Sequence, residues 1–225
     1  MVAAVVTLCR RCARGVETVR VRESTMANQT EAGILREQLK QILFDPLRYV
    51  HPQRLRLPRS FDTARQRAIV NRMLLGDALH SPPIAAHPHR LLQHWRRLPY
   101  VCSLVGAQLL KPSLALRGRS LHLPAPVRFF MALPLQQLIA VQDDLAPLTD
   151  WGSDADPLRQ VQRAGLSCVL DWQQQAPAAL LARMRLLFAP QLDASFDGPR
   201  KPLQASELFL ISQAILYAKN HPYQL

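Results

Sequence analysis

Acidic residues are scarce in this chain, and glycines and aromatics are scarcer. Sixteen Asp and Glu stand against 28 Lys and Arg, for a formal net charge of +12. Only eight glycines and 6% aromatics occur in 225 residues. No glycine-rich phosphate-binding loop can be assembled from them, so no nucleotide site of that kind is expected. Few aromatics also argue against a single-strand nucleic-acid binder, which needs stacking platforms between its basic groups. β-Branched residues are sparse after residue 23, and no segment sustains a period-two alternation, so strands are not expected. No apolar run approaches the roughly 18 residues of a membrane-spanning helix. The apolar stretch AAVVTL near the start is short and has no basic segment before it, so it does not read as a signal peptide. A cytoplasmic protein is the expectation.

The polar groupings that chemistry needs are also missing. Cys9-x-x-Cys12 is half of a zinc spacing with no second pair to complete it. Cys102 and Cys168 sit in apolar helical runs and read as small core residues. His80, His87, His89 and His94 cluster in sequence, but no carboxylate or cysteine lies among 87–94 to complete a coordination shell. Asp143 and Asp144 are adjacent, so their side chains leave a helix at different angles and decorate a solvent face. Ser103 and Ser167 lack the Gly-x-Ser-x-Gly turn of hydrolases. No catalytic residue, cofactor site or metal site is assigned, and the chain does not read as an enzyme.

What is present is arginine and proline. Residues 46–128 carry fourteen Lys or Arg against two acids, Asp62 and Asp77, whereas residues 129–225 carry seven against nine. Arginine outnumbers lysine twenty-four to four, a bias that base composition alone can produce. The basic half is thus either compositional or a face for an acidic protein, nucleic acid or anionic lipid. The 18 prolines fall mostly between apolar-periodic runs, as in a chain of short helices.

The pattern predicts an all-α protein of about eight helices separated by proline-rich turns, in a single compact domain over 26–225. A first helix runs from about Gln29 to Phe44, capped by Asn28 with Glu31 at the capping-box position, and buries Ile34, Leu35, Leu39, Ile42 and Leu43. Ser60 or Asp62 opens a second, with Phe61, Ala64, Ala68, Leu75 and Leu79 in register. Leu91, Leu92, Trp95 and Leu98 mark a short helix ended by Pro99, and Tyr100–Leu110 forms the next. Pro112 opens another, which Gly118 stops in the left-handed region. Pro124-Ala-Pro126 is a rigid joint, followed by a helix over Pro134–Leu145. An acidic, turn-rich stretch, Leu148–Pro157, is the candidate seam or exposed loop. Pro157 to about Gln175, a helix from Pro177 and a last helix over about Gln204–Asn220 complete the set. The first 25 residues show no helical pattern, and the segment after Met26 begins like a helix start. They read as a dispensable basic tail or as a misassigned start.

Two stretches stand out. Phe44–Pro58, FDPLRYVHPQRLRLP, fits neither helix nor strand, because Pro46, Pro52 and Pro58 each fix φ and lack an amide donor. It also carries Phe44, Tyr49, Arg48, Arg54 and Arg56. Leu91–Pro99 reads LLQHWRRLP. Trp95 is either a core residue flanked by snorkelling arginines or an anchor at a partner-binding edge. Tyr49 and His51 invite the same two readings. A proline-stiffened loop loses little entropy on binding, which favours the interface there.

Phe44–Leu57 resembles, almost residue for residue, the N-terminal signature of the OrgA/MxiK family of type III secretion systems, called SctK in the unified naming. LLQHWRRLPYVCSLVGAQLLKPSLALRGRSLHLP (Leu91–Pro124) is similar to the longest block shared by that family, and AILYAKNHP (Ala214–Pro222) to its C-terminal helix end. Family members begin near Met26, so the 25 residues before it depart from the pattern. The resemblance implies a non-enzymatic cytoplasmic adaptor in the sorting platform beneath the injectisome. It would link the pod protein (SctQ/SpaO type) to the cytoplasmic domain of the inner-membrane ring (SctD/PrgH type). The stator protein (SctL/OrgB type) and export ATPase lie further along, and the membrane is near only through the ring. The expected ring-facing surface is Tyr49, His51, Arg54 and Arg56 with Trp95, Arg96 and Arg97. The rival reading is a basic helical nucleic-acid binder, whose only candidate recognition helix is Ser60–Leu79 with Arg65, Arg67, Asn71 and Arg72.

Overall fold

A computed structural model describes residues 33–58, 60, 61, 63–76, 92–135, 156–172 and 176–223. Among these residues every regular element is helical. The expected cap at Asn28, the loop 81–89 with its histidines, the pair Asp143-Asp144, both N-terminal cysteines and nearly all of the stretch 148–157 lie outside them. So do residues 1–25 and most of the helix expected over Pro134–Leu145.

Helix α1 spans residues 33–44 and ends where Asp45-Pro46 demands. It buries Leu35, Leu39, Ile42 and Leu43, while Ile34 is half exposed, one position off the stripe. A 3-10 turn, Pro46–Arg48, follows. Helix α2, Ala64–Leu75, is opened by Thr63 rather than by Ser60 or Asp62. The Thr63 hydroxyl accepts from the Gln66 amide at 3.2 Å, and Gln66 Oε1 accepts from the Thr63 amide at 3.1 Å. Val70 and Leu75 are its buried residues: Leu75 is buried as expected, whereas Phe61, Ala64 and Ala68 are exposed.

Pro99 begins a helix instead of ending one. A 3-10 turn, Trp95–Arg97, runs directly into α3, Leu98–Leu109, with Pro99 in the first turn. Proline sits there without penalty, because first-turn amides have no intrahelical acceptor. Helix α3 is buried on all sides from Tyr100 to Gln108, which makes it the central helix. Helix α4, Lys111–Ala115, is short and passes into a 3-10 stretch, Leu116–His122. Gly118 does take a positive φ of 66°, but inside that stretch and not as a helix stop. The expected joint at Pro124–Pro126 is the start of helix α5, Ala125–Ala132, with Val127 and Phe130 inward. Helices α6, Pro157–Trp172, and α7, Ala178–Arg185, begin at the prolines expected to start them. The segment after Pro190 holds a 3-10 turn, Pro190–Phe196, whose Leu192 and Phe196 join the core. Helix α8, Ala205–Asn220, is capped by Gln204 with Glu207. It buries Leu210, Ile211, Ala214 and Ala218, and leaves Leu208 and Leu216 largely exposed.

The core divides about the α3–α6 pair. On one side Leu98 and Cys102 of α3 and Leu166, Val169 and Leu170 of α6 meet α1, α7, Trp95 and Phe188. On the other, Val101, Leu104 and Val105 meet Val127, Phe130 and the buried face of α8. Each fully buried leucine of this kind contributes about 2 kcal/mol from apolar surface alone. The two helices touch through backbone. A Cβ on Gly106 would lie 1.8 Å from the Val161 carbonyl oxygen, and one on Gly165 would lie 1.9 Å from that of Cys102. Only hydrogen fits at either place. Gln108, two residues along from Gly106 and buried, donates to the Phe130 carbonyl at 2.7 Å and to that of Leu133 at 3.2 Å, closing the C-terminus of α5.

Gly106→Ala or Gly165→Ala therefore forces the helices apart against backbone atoms that cannot rotate away. Each should cost about 3 kcal/mol or more in urea unfolding. Gly33→Ala, where a Cβ meets nothing within 4 Å, should be neutral or slightly stabilising.

Candidate partner-binding groove

The connector 44–58 is a clasp across the molecule rather than a free arm. Its first part is pinned to α2: Asn71 accepts from the Leu47 amide at 2.9 Å and donates to Asp45 at 2.8 Å. The same Asp45 takes Arg48 Nε at 2.5 Å. Its middle closes the end of α1, where the Tyr49 hydroxyl donates to the Ile42 carbonyl at 2.5 Å and Arg183 Nε donates to that of Leu43 at 3.3 Å. Its last part reaches the segment after α7. The His51 amide donates to the Leu186 carbonyl at 2.8 Å, Arg54 Nε to that of Phe188 at 2.7 Å, and the Arg54 fork closes on Asp193.

This geometry sorts the seven residues expected to meet a partner. Trp95 is 3% exposed and packs edge-on against Tyr49 with ring centroids 5.7 Å apart. It is core, with its two flanking arginines directed to solvent. The expectation of Arg54 as an exposed basic group is corrected. Its side chain is 13% exposed and its donors are committed to Asp193 and to the backbone. The sequence could not show this, because its partners lie far along the chain. His51 is half-buried, and its Nδ1 accepts from the Gln53 amide at 3.2 Å. Burial and the Arg54 charge lower its pKa. Arg56, Arg96 and Arg97 are exposed.

Tyr49, Trp95, Arg96 and Arg97 come together on a groove of about 920 Å³. Gln38, Ile42 and Arg48 supply one wall, and Pro222 and Tyr223, just past α8, supply another. A smaller cavity of about 280 Å³ shares Arg48, Tyr49, Arg96 and Tyr223 with it and adds His51. Arg54 and Arg56 line neither. Among the described residues the groove wall includes no Asp or Glu. Burial, with the charges of Arg97 and Lys219, lowers the His94 pKa, so that imidazole is neutral at neutral pH. The segments that meet here, 44–58, 91–99 and the end of α8, are distant in sequence. Arg183 was not foreseen as a participant, since a lone arginine in an amphipathic helix gives no sign of burial. Tyr223 is equally silent in sequence; only its closeness to the AILYAKNHP block hinted at it.

Among the described residues no group of three His, Cys, Asp or Glu is placed to hold a metal, and no helix is long and apolar enough to cross a membrane. Helix α2 makes a poor reading head for a nucleic acid. Asn71 is occupied by Asp45 and the Leu47 amide, and Arg67 lies on the opposite side of the helix from Arg65 and Arg72.

Comparison with known proteins matches residues 39–220 to the family described as Bacterial type III secretion apparatus protein (OrgA_MxiK). The chain belongs to this family. The Oxygen-regulated invasion protein OrgA of Salmonella typhimurium, in three strains, is 30% identical over 189 residues. That alignment covers 81% of this chain and 87% of the relative. No solved structure matches. The OrgA/MxiK match runs from within α1 to the end of α8, so the clasp, the α3–α6 crossing and most of the groove wall lie inside it; Gln38, Pro222 and Tyr223 fall just outside.

Two outcomes test the clasp. Arg54→Ala leaves Asp193 and the Phe188 carbonyl without their donor and should cost about 1–3 kcal/mol, read as a lower urea midpoint. Burial also pushes the Tyr49 hydroxyl well above the ordinary tyrosine range. Its folded pKa is therefore above its unfolded one. The corresponding stability is fully present below the unfolded value of about 10 and is lost as pH rises past it. Tyr49→Phe should cost about 1 kcal/mol at neutral pH and flatten the decline in stability above pH ~10.

Proposed function

We propose that the protein is a non-enzymatic cytoplasmic adaptor of the sorting platform, joining the pod protein (SctQ/SpaO type) to the cytoplasmic domain of the inner-membrane ring (SctD/PrgH type). Family membership supplies the secretion apparatus. The observation that carries the finer reading is the groove: three segments distant in sequence, each in or beside a stretch most like the family, converge on one cavity with a basic rim. A body that presents such a groove on one side suits a linker with two different neighbours. The stator protein and the export ATPase would be reached through the pod. Residues 26–225 would act as the working domain, with 1–25 dispensable.

In this reading the groove side faces the ring, with Arg96 and Arg97 as the charges that meet it and the exposed Arg56 as a further charge outside the groove. Basic groups of this kind speed docking to an acidic partner and fix its orientation. Trp95, Tyr49 and Arg54 hold the groove's shape from behind.

Separate titrations with the purified ring domain and pod protein test this. Reversing charge at Arg96 and Arg97 together should weaken ring binding on the order of tenfold, because two attractive contacts become repulsive. Pod binding and the helical circular-dichroism signal should be unchanged. Arg54→Glu should instead lower thermal stability and weaken both partners together. Unchanged ring affinity in the Arg96/Arg97 variant would place the ring interface elsewhere, the C-terminal half being the next surface to examine.

A further inference from the structure

Three residues that line the groove carry polar atoms that no other part of the described structure satisfies. Trp95 Nε1, Gln38 Oε1 and His94 Nδ1 are shielded from solvent and have no hydrogen-bond partner. Trp95 is buried in its core, yet its indole donor has no partner among its neighbours. An unpaired buried donor or acceptor costs about 1–3 kcal/mol, and folded proteins pair the great majority of them. Here one donor, one acceptor and one imidazole nitrogen belong to residues that line the same cavity.

The surroundings narrow what could complete them. Arg48 is already paired with Asp45, whereas Arg96 and Arg97 are exposed at the rim with no carboxylate among the described residues of the wall. Ile42, Leu92, Pro222 and Tyr223 give the same wall an apolar part. An anion alone would answer the arginines and the indole but offers nothing to the Gln38 oxygen. A peptide unit offers both a carbonyl acceptor and an amide donor. Five residues of extended chain span about 17 Å, and the volume lies in the range of sites that enclose ligands of that bulk.

We propose that the groove receives a short, extended, acidic peptide segment of a partner protein, with carboxylates at Arg96 and Arg97, aliphatic side chains against Leu92 and Tyr223, and main-chain groups at Trp95 and Gln38. This rests on the reading of the groove as the partner-facing surface and adds the form of what enters it. Main-chain pairing gives such a segment its affinity, and the alternating side chains give it selectivity.

The test uses the full chain labelled with ¹⁵N-tryptophan, which gives three indole signals, from Trp95, Trp151 and Trp172. Trp95→Phe assigns the first. The probe is a blocked decapeptide of alternating Glu and Leu, compared with Gln-Leu and Lys-Leu versions. The acidic peptide should shift the Trp95 signal saturably. The Gln-Leu peptide should bind on the order of tenfold more weakly, and Arg96→Glu with Arg97→Glu should lose a similar factor for the acidic one. An unmoved Trp95 signal, or equal affinity for the three peptides, overturns the proposal. So does a response confined to phosphatidylglycerol vesicles or to duplex DNA. Titrating the ring domain in parallel separates the two readings. Loss of ring binding in the double variant with no response to the acidic peptide overturns this inference alone. A Trp95 response to the acidic peptide with undiminished ring binding supports this inference and removes only the assignment of the ring as the partner.

Discussion

Gly106 and Gly165 let the backbones of α3 and α6 meet where any side chain would collide with a carbonyl oxygen. That contact sets the spacing of the two helices from which the rest of the described structure is packed. Close backbone approach brings the flanking side chains into register: Cys102 and Leu166 on one side, Val161 and Leu104 on the other. Both cores grow from those rows. Because cores are packed nearly as densely as organic crystals, a displacement here cannot be absorbed locally. Burial also pushes the Cys102 and Cys168 thiols upward, which keeps both as protonated, inert packing groups.

The connector depends on this frame and in turn defines the surface. Proline prevents 44–58 from forming its own ladder of hydrogen bonds, so its backbone and side chains bond to other elements. Asn71, the end of α1, Leu186 and Phe188 supply those partners. Arg54 and Arg183 are the cations of this arrangement, one tying the connector to Asp193 and the other buried beneath the end of α1. Tyr49 against Trp95 joins the connector to the 3-10 turn that leads into α3. A path of direct contacts therefore runs from the glycine crossing, through α3 and Trp95, to the groove and its arginine rim. Mutations in the connector act first on shape and only at its exposed arginines on recognition.

Much of this was legible in the sequence. Helical periodicity and proline spacing placed α1, α6, α7 and α8 within a few residues, because each has a run of apolar residues at helical spacing and a proline or capping residue at one end. What failed has common causes. Pro99 and Pro126 were read as stops or joints, when proline is equally at home in a first turn; that error split α3 from its entry and concealed α5. Ala64 and Ala68 of α2 and Leu208 and Leu216 of α8 were assigned inward but are exposed, since apolar or small residues spread around a helix support more than one stripe. The groove was half legible. The residues around Tyr49 and Trp95 stood out by composition and by family resemblance, but their convergence with Tyr223, and the internal role of Arg54, depend on contacts across more than a hundred residues. The glycine crossing was not foreseen, as Gly106 and Gly165 look like any other small residue in a helical run.

The family places the chain in a secretion apparatus, and the physical account makes it a rigid body whose groove is held in shape from the α3–α6 crossing outward. Native-state amide hydrogen exchange on the full chain tests that account most directly, because it reads stability segment by segment. The amides of Val101–Leu109 and Val161–Leu170 should be the slowest, exchanging together at the free energy of global unfolding, with those of the connector and α2 opening at lower cost. If α6 opened well before α3, or if the connector outlasted both, the crossing would not be the frame of the fold and the account would be wrong.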